Sequence, residues 1–326
     1  MLSKSRSVLE VEANGLELRS LFRELCYYVE NILKNVLSKY CLESQCDVEV
    51  LIAFVNSRYC TVSRLLQGYD AVVERILQDK LTESSKLRLL RIVENARARF
   101  TERALARLRD RVMKSLKSAI PTIVVDYEGY NCSVDIWQQR GFMLADGGLN
   151  GVIGISNDLQ FETALKTFGK LILKFKTFYI EASTCDIVIE FDAYVADSKL
   201  HRSLVKWRRW FLGGGFREFY CLGYGEWVRF FAGLFDGDGF VKVKHRYAVD
   251  VGVSCGGDVK GCAVREVLRL GEARGLYVLG RYDERSCKQY LRLCGGTLRF
   301  LKDVVVFLNH PERRFKLERF LVHRCC

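Results

Sequence analysis

The sequence predicts an α+β protein in three parts: an all-α N-terminal accessory region at residues 1–120, one helix-and-strand unit at 121–215 and another at 216–326. Three observations carry this. The first 118 residues hold no proline and repeat apolar residues at helical spacing. Beyond Pro121, aromatic and β-branched residues rise and short alternating segments appear. An apolar helix ending in Asp-Gly then occurs twice, ninety-two residues apart.

In the N-terminal region, Leu16, Leu18, Leu21, Phe22, Leu25, Tyr28, Val29, Ile32, Leu33 and Leu37 recur three and four apart, with charges between them. A second helical stretch runs from about Asp47 to Leu81, broken near Gln67 and Gly68, and Thr82 opens a long helix to about Ser118. That helix carries eleven Lys or Arg against four acids, which reads as a solvated face sooner than as a phosphate contact.

Thr122–Tyr127 is a short strand or linker, and Ser133 or Asp135 can cap a helix through Ile136, Trp137 and Phe142. G-V-I-G-I-S after that helix is strand-like, and Asp158 to Gly169 looks helical. From Lys170 to Ile180, Leu171, Leu173, Phe175 and Tyr179 face one way and Lys170, Lys174 and Lys176 the other. A turn at Thr184–Asp186 leads to a strand marked by Ile187, Ile189 and Phe191. Ser198 to Phe211 is a basic, Trp-containing helix, and Gly213–Gly215 is a linker.

In the last part, the apolar helix of Trp227 to Phe235 precedes a strand in which Val241 and Val243 alternate with Lys242, Lys244 and Arg246. Val249, Val251 and Val253 form the next strand, and Asp258 caps a helix through Val264, Val267 and Leu268. Tyr277–Tyr282 and Lys288–Leu293 make a second hairpin with Lys288 and Arg292 on one face. Thr297 opens a further helix, and Pro311 starts the last. The order is helix, two strands, helix, two strands, helix.

Everything is organised around Trp227–Phe240, W-V-R-F-F-A-G-L-F-D-G-D-G-F. Ala232 and Gly233 leave one flank almost bare, so another backbone can approach closely. Gly237 and Gly239 favour an abrupt helix exit, which delivers Asp238 where the helix unwinds. A carboxylate there suits a hard divalent cation. Most Asp-Gly-Asp-Gly runs are plain turns after a core helix, and a calcium loop would need a ligand ladder and a closing Glu that are missing.

This run resembles the LAGLIDADG motif of homing endonucleases. Ala232, Gly233, Leu234, Asp236, Asp238 and Gly239 are identical to it, with Phe231 and Phe235 as apolar substitutes. Upstream, Gly141, Ala145, Asp146 and Gly147 match the same motif in a degenerate copy, Gln139–Gly147. There Gln139, Arg140 and Leu144 depart from the pattern. Arg140 is the most awkward, because the family packs its two motif helices tightly at that point.

The resemblance implies two pseudo-symmetric αββαββα-type repeats forming a β-saddle after the helical region. It implies a monomeric, metal-dependent, site-specific double-strand DNA endonuclease of the homing, intron-encoded kind. The alternative is a cleavage-inactive nucleic-acid-binding protein of the same fold, an RNA maturase or a DNA-binding regulator. One true motif per chain would instead demand a homodimer. Carried over residue by residue, Asp146 and Asp238 hold Mg²⁺ or Mn²⁺, with the Ala145 and Gly237 carbonyls as secondary ligands. Gly141, Ala232, Gly233 and Asp236 serve helix packing, and Lys288 is the basic residue expected near the metals. Lys174, Lys176, Lys242, Lys244, Arg246, Lys288 and Arg292 would meet double-stranded DNA, or intron RNA in a maturase.

Composition agrees in kind. A net charge of +12 and a pI near 9.1 favour a polyanionic partner. No apolar run approaches membrane-spanning length and no signal-peptide core is present, so a soluble, cytoplasmic protein is expected. Thirteen cysteines without paired C-x-x-C groups, beside four histidines, make no zinc site and leave the redox state open. Sparse Asn and Gln beside plentiful Arg, Lys and Glu lean towards a thermophile. The absence of a terminal His-Asn argues against an intact intein.

Overall fold

The computed structural model describes residues 8–13, 18–44, 73–74, 77–78, 82–88, 90–91, 102–128, 135–180, 187–245, 248–255 and 259–323. In chain order its elements are β1 (Val8–Ala13), α1 (Leu18–Ser44), α2 (Glu102–Ala119), β2 (Thr122–Tyr127), α3 (Ile136–Asp146), β3 (Ile153–Ile155), α4 (Asp158–Phe168), β4 (Lys170–Ile180), β5 (Ile187–Val195) and α5 (Ser198–Leu212). There follow α6 (Glu218–Cys221), α7 (Tyr224–Asp238), β6 (Gly239–His245), β7 (Ala248–Ser254), α8 (Val259–Ala273), β8 (Val278–Asp283), β9 (Lys288–Arg292), α9 (Gly295–Val305) and α10 (Pro311–His323). The fold is α+β. Among the described residues no helix is long and apolar enough to cross a membrane.

The chain forms two compact units. One takes in Met1–Leu9, Arg23–Thr122 and Lys174–Phe191. In it α1 buries Leu25, Val29, Leu33 and Leu37, one every turn, and α2 buries Val112 and Leu116. Thr82 opens a helical turn, its carbonyl accepting from Lys86 N at 3.0 Å. Phe175 and Phe178 stack at 6.5 Å, and Lys176 pairs with Glu190 at 3.7 Å.

The expected all-α N-terminal region is not all helical, because β1 lies within it. V-L-E-V-E-A alternates apolar and acidic residues, a period-two pattern only six residues long that the neighbouring helical periodicity hides. The strand order of the first sheet is β1-β2-β4-β5-β3, with β2 antiparallel to β4 in the register Ile123↔Leu173 and Val125↔Leu171.

The other unit comprises Glu10–Phe22, Ile123–Leu173 and Asp192–Cys326. Its first half does not run αββαββα: after α3 come a three-residue strand, a helix, two strands and a helix. Helix α4 stands where a second strand would belong. Asn157 caps it by accepting from Gln160 N at 2.9 Å, and Phe161, Ala164, Leu165 and Phe168 are buried at helical spacing.

The second half follows the expected order, and its sheet runs β6-β7-β9-β8, antiparallel at each pairing. Val241, Val251, Val253 and Leu291 turn into a core with Trp227, Phe230, Phe231, Leu234 and Phe235 of α7. Val264, Val267 and Leu268 of α8 and Phe300, Leu301 and Val304 of α9 close that core. Helix α9 begins at Gly295, two residues before the expected Thr297. The Thr297 hydroxyl instead accepts from Val278 N at 3.0 Å. The second helical stretch expected up to Leu81 falls mostly outside the described residues, as do the turn at Thr184–Asp186 and the Asp258 cap. Among the described residues, Cys26, Cys221, Cys255, Cys287 and Cys294 form no disulfide, and burial pushes Cys255 up to about 11.

Candidate functional site

Helices α3 and α7 cross with their backbones in contact, and glycine makes this possible. A methyl group on Gly141 would overlap the Phe230 carbonyl oxygen and lie 2.7 Å from Leu234 N. A methyl on Gly233 would overlap the Gln138 carbonyl and lie 2.9 Å from Phe142 N. The two sets of contacts are reciprocal: a shift of ninety-two residues turns Gln138, Gly141 and Phe142 into Phe230, Gly233 and Leu234. The same shift turns Ala145 into Gly237, where a methyl would overlap the Ala145 Cβ. Ala232 is fully buried beside this seam.

Arg140 does not enter the seam. Its guanidinium lies 4.3 Å from the Trp137 ring centroid and 5.3 Å from that of Trp207, and it pairs with Glu218 at 3.1 Å. The difficulty its size posed is solved by turning it onto two tryptophans. At the start of the pair, Asp135 caps α3 by accepting from Trp137 N at 2.6 Å. Glu226 of α7 accepts from Trp137 Nε1 at 3.1 Å and from Gly223 N at 2.7 Å.

The helix ends converge as the seam does. A methyl on Gly237 would sit 3.2 Å from Asp146 Cγ, so the Asp146 carboxylate lies against the residue before Asp238. Gly147 and Gly239 follow the two aspartates with φ of −75° and −71°. Neither exit therefore needs a left-handed residue. A methyl at either position would overlap the residue four back, Met143 or Phe235, and close approach is what demands glycine.

Two arginines hold the last carbonyls. Arg208 of α5, buried, donates to Met143 O at 3.1 Å. Arg313 of α10 donates to Phe235 O at 3.1 Å and to Asp236 O. Met143 and Phe235 are again ninety-two residues apart. Burial lowers the Arg313 pKa, while the charges of Asp146, Asp236, Asp238 and Glu312 raise it, which places a guanidinium in the field of all three motif carboxylates.

Asp236 is wholly buried and accepts from Asn309 N at 3.0 Å and His310 N at 2.9 Å, the two residues ahead of α10. Burial pushes its pKa up to about 7 against those hydrogen bonds. His310 is pushed down to about 4, first by burial and then by the Arg313 charge, and its Nδ1 accepts from Arg313 N at 3.3 Å. The counterpart of Asp236, Leu144, is fully buried and apolar. Gln138 and Gln139 are buried too, donating to Phe307 O at 2.7 Å and Thr167 O at 3.2 Å.

The face of the second sheet away from the core carries Phe240, Lys242, Lys288, Tyr290 and Arg292, by register and alternation. Phe240 and Tyr290 meet at 5.2 Å across Gly252, where a methyl would lie 2.8 Å from the Phe240 ring. Lys288 Nζ stands 5.5 Å from the Phe240 centroid and Arg281 4.7 Å from that of Tyr290. Lys288 is thus tied to the residue two beyond Asp238. Lys242 and Arg292 are exposed; of Lys244 only the strand backbone is described, and Arg246 lies outside the described residues. Lys174 and Lys176 are exposed on β4, in the other compact unit.

The donors at the paired helix ends are the Asp146 and Asp238 carboxylates and the carbonyls of Ala145 and Gly237. All are hard oxygens, and Mg²⁺ binds through one or two carboxylates while keeping waters and substrate phosphates as its other ligands. The residues fit such an ion. Among the described residues no group of three or more His, Cys, Asp and Glu side chains is gathered for a metal. No protein-family model matches the chain, and no curated protein matches it significantly. Sequence reasoning missed Arg208, Arg313, Gln138 and His310. Each acts on a residue far along the chain, and only the basic texture of α5 and α10 hinted at the arginines.

Proposed function

We propose that the chain is a metal-dependent, site-specific double-strand DNA endonuclease of the LAGLIDADG homing type, built on two pseudo-symmetric halves and acting on DNA inside the cell. The observation that carries the reading is the reciprocal glycine seam, in which a ninety-two-residue shift exchanges the contacts of α3 and α7 and brings Asp146 against Gly237. Such a seam supports an active centre shared between two equivalent helix ends.

A divalent ion held by Asp146 and Asp238 would supply Lewis acidity at the phosphoryl oxygen and an acidified water. The chain's own work is positioning. Asp146 and Asp238 present oxygens at the junction, while Arg208 and Arg313 fix the last turns of their helices so that neither carboxylate swings. Arg313 also keeps the excess negative charge of the junction low before the phosphodiester arrives. Lys288, steadied over Phe240, would meet charge developing on the phosphate oxygens. An antiparallel sheet fits the major groove, and Lys242, Arg281 and Arg292 would meet phosphates and base edges there.

Arg313 also favours the second reading, a fold-retaining nucleic-acid binder without cleavage, because a guanidinium among three carboxylates does part of what a metal would do. The deciding experiment is cleavage of a randomised duplex library with Mg²⁺ by wild type, Asp146→Asn and Asp238→Asn. Site-specific double-strand cutting lost in both variants supports the shared centre. Cutting lost only in Asp238→Asn removes Asp146 from it, and tight binding by a wild type that never cuts selects the second reading.

A further inference from the structure

The loop that leaves Asp146 and one face of helix α5 enclose an open cleft of about 450 Å³, lined by Asn150, His201, Arg202, Val205, Lys206 and Arg209. Arg202, Lys206 and Arg209 are three and four residues apart and share that face of the helix. Two of the cations are already oriented. Arg209 donates to Leu149 O at 3.3 Å and to Asn150 Oδ1 at 3.0 Å, and Arg202 donates to Ser198 O at 3.0 Å. Among the described residues, no ion pair joins any of these three cations to a carboxylate.

The cleft is built, not merely charged. Gly151 holds a left-handed φ of 71°, and a methyl there would lie 2.5 Å from Val205 and 2.7 Å from His201 Nε2, so loop and helix are in direct contact. His201 Nε2 is buried at that contact with no hydrogen-bond partner among the described residues. Three like charges on one helix face repel one another. Holding two of them, Arg202 and Arg209, in fixed directions around a shared space favours an anion with several oxygens.

We infer that this cleft takes a backbone phosphate of the bound nucleic acid, a second anchoring point apart from the sheet face. The inference rests on the nucleic-acid reading above and adds to it a contact that positions the strand without reading its sequence. Asn150 follows Asp146 by four residues, so their Cα atoms lie within about 14 Å. Duplex DNA rises about 3.4 Å per base pair, so a phosphate held there lies a few base pairs from the one at the aspartates. A backbone gripped there cannot slide while the scissile phosphate sits at the junction.

The test is fluorescence anisotropy of the full chain on a labelled duplex at 50 and 200 mM KCl. Wild type is compared with Arg202→Gln/Lys206→Gln and with a charge-matched control outside the cleft, Lys199→Gln/Arg217→Gln. Thermal melts of all three verify folding. Losing this one phosphate contact lowers the salt slope by about 0.9, so the wild type should lose roughly 3.5-fold more affinity than the cleft variant over that range. The control should keep the wild-type slope. A wild-type slope in the cleft variant overturns the inference, as does an equal loss in both variants, and either result leaves the endonuclease reading standing. Unchanged duplex binding with loss of thermal protection by inorganic phosphate overturns it in favour of a small phosphate ligand. Failure of the wild type to bind any duplex overturns both.

Discussion

Helices α3 and α7 meet identical demands where they touch and diverge where they do not. Each keeps a glycine where the partner backbone crosses, an aspartate at its end, a glycine after it, and an arginine on the carbonyl four residues before that glycine. Away from the seam the likeness stops. Asp236 anchors the entrance to α10, whereas Leu144 at the matching position is packed in apolar surroundings. A seven-residue strand follows α7, and only a three-residue strand follows α3. Close backbone packing accepts almost no alternative residue, while a buried side chain elsewhere accepts many if its neighbours change with it.

Substitution of the two arginines should sharpen this comparison most. Arg313→Met leaves three carboxylates without their guanidinium and is expected to cost about 3–5 kcal/mol in urea unfolding. Millimolar Mg²⁺ should restore part of that loss, since an ion bound only by the folded state stabilises it. Arg208→Met should also destabilise, with no recovery on adding Mg²⁺. Equal rescue of both would break the distinction drawn between the helix ends.

Next come the seam glycines. Gly141→Ala and Gly233→Ala each force a methyl into the partner's backbone and should each cost about 3 kcal/mol by overpacking. Their equivalence is the point. A cost confined to one of them, read from chemical denaturation, would mean that the reciprocity is only apparent. Asp236→Ala should cost about 2 kcal/mol, because it leaves the Asn309 and His310 amides buried without an acceptor. Leu144→Ala should cost a similar amount for a different reason, a cavity, and so should respond to refilling with Met.

The smallest effect is a pH dependence. His310 has a folded pKa near 4, below its ordinary value of 6.5, so it contributes stability above pH 6.5 that is lost as pH falls towards 4. Asp236 has the opposite sign: its folded pKa near 7 lies above 3.8, so its contribution is present at low pH and lost as pH rises towards 7. The two slopes oppose one another between pH 4 and 6.5. His310→Gln should expose the Asp236 slope, and melting temperatures that rise with pH over that window in the variant would contradict it.

Much of the second half was legible from its residues, because alternation in V-K-V-K and V-D-V-G-V and the helical spacing of Val264, Val267 and Leu268 are local signals. The helix at Asp158–Phe168 was legible for the same reason. Strand β1 was not, since a six-residue alternation cannot announce that its partner, β2, lies more than a hundred residues on. At the candidate site the aspartates and seam glycines stood out by type and spacing. Arg208 and Arg313 did not, because their partners are 65 and 78 residues away and nothing local distinguishes them from solvated charges.

The Gly213–Gly215 linker, with Gly214 at a φ of 97°, has a consequence for the seam it connects. Joining two surfaces by a short tether turns their meeting into an intramolecular event, at an effective concentration in the millimolar range. A glycine seam offers little apolar side-chain area to drive association between separate molecules. Tethering removes that requirement, so the interface can be selected for fit instead of strength. It also frees each half to change alone, since neither must match a copy of itself.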